Sequence, residues 1–93
     1  MSVTIDGTTF DHVYYDAEAD VLYLHVGDPR TAVEFDESRE GHALRYDVNG
    51  RLVGITIVGA KCFLDKDGRI DITIPQYVAT LDRRTLGPAL AVT

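Results

Sequence analysis

The pair Asn49-Gly50 is the tightest constraint on how this 93-residue chain folds. It is the dipeptide best suited to the two positive φ angles of a type I′ turn, and alternating apolar runs flank it. His42–Val48 and Arg51–Gly59 therefore read as strands of one hairpin. A two-residue loop sets Val48 opposite Arg51, Tyr46 opposite Val53, Leu44 opposite Ile55 and His42 opposite Ile57. Leu44, Tyr46, Val48, Val53, Ile55 and Ile57 then share a core-facing side. The reverse side carries Ala43, Arg45, Asp47, Leu52, Gly54, Thr56 and Val58. A slip of one residue would exchange the two sides, so the turn also specifies register. Gly54 lacks a side chain where Arg45 crosses, which marks a close approach or a bulge.

A second hairpin precedes it. Phe10–Tyr15 and Val21–Val26 flank Asp16-Ala17-Glu18-Ala19-Asp20, whose end aspartates suit a turn. Reversal through a five-residue loop sets Tyr15 against Val21 and Val13 against Tyr23. Phe10, His12, Tyr14, Leu22, Leu24 and Val26 then share the other side, and His12 and His25 point to opposite sides. Both sides are largely apolar or aromatic, so both call for cover. Gly27-Asp28-Pro29 closes the unit, Thr31–Phe35 reads as a short strand, and Asp36–Gly41 as a strand end running into a loop. Asp65–Arg69 reads as a turn, Ile70–Ile74 as a half-buried strand ended by Pro75. Tyr77, Val78 and Leu81 within Gln76–Thr85 suggest a short helix stopped by Gly87-Pro88. The expected fold is α+β: a mainly antiparallel sheet of five or six strands in hairpins, with a short C-terminal helix.

A chain of this length supports one small domain, residues 1–93, with a modest core. Hydrophobic residues make up 45% and charged residues 26%, a globular balance. No apolar run approaches the roughly 18 residues of a membrane span. The start lacks the pattern of a signal peptide, and Cys62 alone forms no intrachain disulfide, so a cytoplasmic protein is expected. The net charge of −6 is uneven: residues 1–47 hold 11 acidic and 3 basic side chains, residues 48–93 hold 4 and 6. The first half repels phosphate, and the later cations are interleaved with acids, which argues against nucleic-acid binding.

No cluster specifies a reaction. Asp16, Glu18 and Asp20 alternate like hard-cation ligands, as do Asp65, Asp67 and Asp71, but neither set completes a calcium loop. Turn capping is the simpler reading. His12, His25 and His42 fit no zinc spacing. Cys62 beside Lys61 has the charge that favours a thiolate, yet Phe63 and Leu64 suit an inert packed cysteine. Ser2 and Ser38 have no nucleophile signature. Tyr14, Tyr15, Tyr23 and Tyr46 suit core or interface packing. No catalytic residue, metal or cofactor is assigned.

Two segments together resemble the DUF2283 family. Tyr15-Asp16-Ala17-Glu18-Ala19-Asp20-Val21-Leu22-Tyr23-Leu24 is similar to its opening "YDpeaDvLYI" pattern, and Tyr46–Ile57 to its second, a turn leading into "lvGieI". The likeness covers roughly residues 12–60 and leaves residues 65–93 as a C-terminal strand and helix outside it. Thr56 stands where the family commonly has an acid. The resemblance implies a small prokaryotic cytoplasmic protein and carries no catalytic residues. The leading expectation is a structural or protein-interaction module acting as a homodimer, with a small basic protein, as in a toxin–antitoxin pair, as a further possible partner. A ligand-binding protein with an aromatic pocket around the tyrosines is the first alternative. An enzyme using His12, His25 or His42 with a carboxylate as general acid or base is the second.

Overall fold

Hairpins dominate the architecture because the sequence places turn residues between short alternating runs. The computed structural model describes residues 2–5, 7–74 and 77–90. Their strands are β1 (Val3–Ile5), β2 (Thr8–Phe10), β3 (His12–Asp16), β4 (Val21–His25), β5 (Glu34–Glu37), β6 (Ala43–Tyr46), β7 (Leu52–Val58), β8 (Arg69–Ile74) and β9 (Tyr77–Asp82). The helices are α1 (Ala60–Asp67) and α2 (Arg83–Leu90), with a 3₁₀ turn at Pro29–Thr31. All pairing is antiparallel: β1-β2, a central sheet β3-β4-β7-β6-β5, and β8-β9. The expected α+β class holds, with more strands in total and five in the main sheet.

The first hairpin departs from its expected register by one residue. Asp16 pairs with Val21, Tyr15 with Leu22, Tyr14 with Tyr23 and His12 with His25. Asp16 belongs to the strand, and the turn holds only four residues, Ala17–Asp20. Asp20 closes it in the left-handed region at φ 56°, and Asp16 Oδ1 accepts the Ala19 N–H at 3.2 Å. The faces are therefore re-sorted. Val13, Tyr15, Leu22 and Leu24 turn inward, whereas His12, Tyr14, Tyr23 and His25 share the outward side. Phe10 lies in β2 and is buried in the core instead of sharing a side with His12 and Tyr14.

The second hairpin keeps its expected central register by a compensation. Only Gly50 takes positive φ, at 75°, so the turn is not type I′. Gly50 N–H donates to Asp47 C=O and Asp47 N–H to Arg51 C=O, which makes a three-residue loop ending in glycine. Asp47 Oδ1 stabilises it by accepting the N–H groups of Asn49 and Arg51. That loop shifts the pairing by one, setting Tyr46 opposite Leu52. An extra residue on β7, Val53, shifts it back, so Arg45 meets Gly54 and Leu44 meets Ile55 as expected. Val48, placed on the core side from sequence, is instead 81% exposed at the turn. The short strand expected at Thr31–Phe35 begins later, at Glu34, because the 3₁₀ turn occupies its start.

The C-terminal helix is displaced. Residues 77–82 form a strand on β8, pairing Ile70 with Leu81 and Ile72 with Ala79. Val78 is exposed and Leu81 buried, so period two, not a helical period, governs here. Pro75 and Gln76 lie outside the described residues. Asp82 caps α2, its Oδ1 accepting the Thr85 N–H at 3.0 Å, and the helix runs through Gly87-Pro88. The expected turn at Asp65–Arg69 is mostly the end of α1, closed by Gly68 N–H on Leu64 C=O.

One side of the central sheet and the flanking elements enclose the core. Leu22, Leu24, Leu44, Ile55 and Ile57 from the sheet meet Phe10, Leu64, Ile70, Ile72, Leu81 and Leu86. The β8-β9 hairpin and both helices thus cover one face. Among the described residues, the face bearing Tyr14, Tyr23 and Phe35 is left open, with those rings 64%, 40% and 70% exposed.

Candidate functional site

Alternation along each strand builds this open face in rows. Pairing aligns His12, His25, Gly54, Arg45 and Phe35 in one row across all five strands. The next row is Tyr14, Tyr23, Thr56, Ala43 and Glu37. Within these rows His12, Tyr14, Tyr23, His25, Arg45 and Thr56, with Asp11, line a hollow of about 470 Å³.

Gly54 lets two of the lining side chains, His25 and Arg45, approach each other. A Cβ there would lie 3.0 Å from His25 Cδ2 and 3.2 Å from Arg45 Cβ, so both side chains fold over the glycine from opposite neighbours. His25 is 7% exposed, with Nδ1 3.0 Å from Val26 C=O. A carbonyl only accepts, so Nδ1 carries the proton and Nε2 presents a lone pair in the neutral ring. That Nε2 has no hydrogen-bond partner among the described residues. Arg45 extends over the Phe35 ring, 5.9 Å from its centroid, and makes no ion pair among the described residues. Tyr14 and Tyr23 stack with centroids 5.9 Å apart and planes inclined by 28°. Asp11 sits at the rim, its carboxyl held below the usual range first by the Gly27 N–H it accepts and then by the nearby histidines.

The remaining candidates separate into structural roles. Asp20 is a clamp on α1. Its Oδ1 accepts Tyr15 O–H at 2.6 Å and Lys61 N–H at 2.8 Å, while Oδ2 accepts Cys62 N–H at 3.1 Å. Desolvation works against the Asp20 charge, but these donors together hold its pKa below the usual value. The same environment, led by burial and reinforced by Asp20, pushes the Tyr15 phenol up to about 12. Asp65 pairs with Arg83 at 2.8 Å and Asp71 with Arg69 at 3.3 Å. Cys62 is exposed on α1. Ser38 Oγ accepts the His42 N–H. His42 is buried away from the hollow, edge-on to Phe63, and burial pushes its pKa down despite Glu40 nearby. Neither of its ring nitrogens has a partner among the described residues.

The register thus brings His12 and His25 together, which the sequence reading denied, and leaves His42 apart. Among the described residues, no hydrogen bond joins a histidine ring to a carboxylate, and no set of three or more His, Cys, Asp or Glu is placed to hold a metal. No described helix is long and apolar enough to cross a membrane. Sequence reasoning missed the clamp by Asp20, whose signal was an aspartate able to adopt positive φ at the end of its turn. The close approach it read at Gly54, opposite Arg45, is present, with His25 on the other side.

A family model described as "Protein of unknown function (DUF2283)" matches residues 12–61, from His12 of β3 into the start of α1. No curated protein and no solved structure matches the chain.

Proposed function

Because the chain belongs to the DUF2283 family, whose description assigns no activity, we propose a function from the open face of its central sheet: a protein-interaction module whose open sheet face docks a second copy of the chain. The observation that carries this reading is the exposure of Tyr14, Tyr23, Phe35 and Val58 on one face of a sheet whose other face packs the core through β4, β6 and β7. Antiparallel sheets tolerate one solvated face when that face is polar, and this one is aromatic. The same face carries Arg45 together with Asp16 and Glu37, so two copies related by a two-fold axis can set opposite charges against one another.

Size sets the expected strength. Five strands spaced about 4.8 Å, each about five residues long, give a footprint on the order of 400 Å². Stable interfaces cover about 800 Å² per partner, so a weak, micromolar dimer is the expectation. Sedimentation equilibrium from about 5 µM to 1 mM tests this. The expected result is a concentration-dependent mass rising from 10.3 kDa toward twice that value. The variant Tyr23→Glu, on an exposed position, should remain folded and monomeric. A constant 10.3 kDa throughout would overturn the reading.

A further inference from the structure

We propose that the hollow lined by His12, Tyr14, Tyr23, His25 and Arg45 binds a small planar molecule of the phenolic-acid class, one that carries a hydrogen-bond donor and a single negative charge. The hollow is formed within one copy, so the inference goes beyond self-association and stands without it.

Four features define the ligand. First, His25 is 7% exposed and its buried Nε2 has no partner, while Nδ1 is committed to Val26 C=O. The lone pair on Nε2 calls for a donor, and an O–H or N–H from a ligand supplies one. Second, Arg45 lies over the same glycine and makes no ion pair among the described residues. Its guanidinium matches a carboxylate in charge and in planar, bidentate geometry. Third, the stacked Tyr14 and Tyr23 supply aromatic surface beside these groups, suited to a flat ring. Fourth, a volume of about 470 Å³ lies in the range of small-molecule sites, about 300–1,000 Å³. The net charge of −6 and Asp11 at the rim disfavour polyphosphates, which narrows the anion to one charge.

Gly54 is the positioning residue. Any larger side chain would meet His25 Cδ2 at 3.0 Å and Arg45 Cβ at 3.2 Å, the two side chains that line the hollow. The donor-accepting nitrogen and the cation would then be pushed apart.

Amide NMR titration of the full chain with 4-hydroxybenzoate, benzoate and phenol tests the proposal. It is run at a protein concentration where sedimentation gives one species of 10.3 kDa, so failure here is distinct from failure to self-associate. The expected result is saturable binding of 4-hydroxybenzoate that shifts the amides of His25, Arg45, Gly54 and Thr56. Its affinity should exceed that of benzoate, which lacks the donor, and of phenol, which lacks the charge, by roughly 3- to 10-fold each. Arg45→Met retains an aliphatic stem over Phe35 and should abolish the preference for 4-hydroxybenzoate over phenol. Gly54→Ala should weaken 4-hydroxybenzoate at least about tenfold; Arg45→Met keeps the test informative if that variant does not fold. Equal binding of the three probes, shifts centred elsewhere, or no saturable binding below about 10 mM would overturn the proposal.

Discussion

Single side chains hold distant parts of this chain together, and Asp20 is the clearest case. One carboxylate accepts the Tyr15 hydroxyl and two N–H groups at the start of α1, forty-one and forty-two residues away. Its backbone C=O accepts the Gly59 N–H as well. Asp20→Ala removes a charge-assisted acceptor from three donors and should cost about 1.5–3 kcal/mol, measured by urea denaturation. Tyr15→Phe, which leaves the other two donors satisfied, should cost less, about 1 kcal/mol. His42 behaves in the opposite sense. Buried, with no partner for either ring nitrogen among the described residues, it has a folded pKa pushed below its ordinary 6.5 because desolvation outweighs the Glu40 charge. The unfolded chain therefore takes up more protons there, and stability falls as pH drops below about 6.5 toward the folded pKa. His42→Leu should keep the fold, flatten that slope below about pH 6.5, and leave stability at pH 7 unchanged or higher. A steeper slope in the variant would contradict this assignment.

At the level of elements, turns rather than propensities fix the layout. The β5–β6 turn is tied to β8 by Glu40, whose carboxylate accepts Thr73 N–H at 2.8 Å and Thr73 Oγ1–H at 2.6 Å. Desolvation opposes the charge, but these bonds outweigh it and lower the Glu40 pKa from 4.5 to about 2. The folded value is depressed, so this stabilisation is full above about pH 4.5 and is lost as pH falls toward 2. Glu40→Gln should remove that part of the acid sensitivity while leaving the transition shape otherwise two-state. Much of this layer was legible in sequence. The pairing of Leu44 with Ile55 followed from Asn49-Gly50, although the turn is a glycine-bulged loop corrected by Val53. What was hidden has physical causes. Asp20, at φ 56°, closes a four-residue loop where five were expected, and this exchanges the β4 side chains between the two faces relative to those of β3. Val78, Ala79, Thr80 and Leu81 fit either period over so short a span, and only pairing with β8 decides for a strand. Helix α1 carries just two fully buried residues, Ala60 and Leu64, too few to announce a helical period.

For the whole molecule, the decisive fact is asymmetry between the two faces of the central sheet. One is closed by both helices and β8-β9; the other presents paired aromatics, Arg45 and the His25 hollow. The candidate site was partly legible, since the tyrosines and histidines stood out, but its convergence depended on a register that sequence placed one residue away. Exposed aromatic surface on a folded face also predicts a salt-tolerant contact: raising NaCl to about 0.5 M should change the dimerisation constant by less than about threefold, because screening acts on charges and not on buried apolar area.

The open sheet face is proposed as the surface that meets a second copy of the chain, and isotope-filtered NOE measurements on a mixture of labelled and unlabelled chain at about 1 mM test it. Cross-peaks between copies are expected from the rings of Tyr14, Tyr23 and Phe35 and the methyl groups of Val58. Intermolecular contacts confined to Val78 or the helices, with none from those rings, would contradict it.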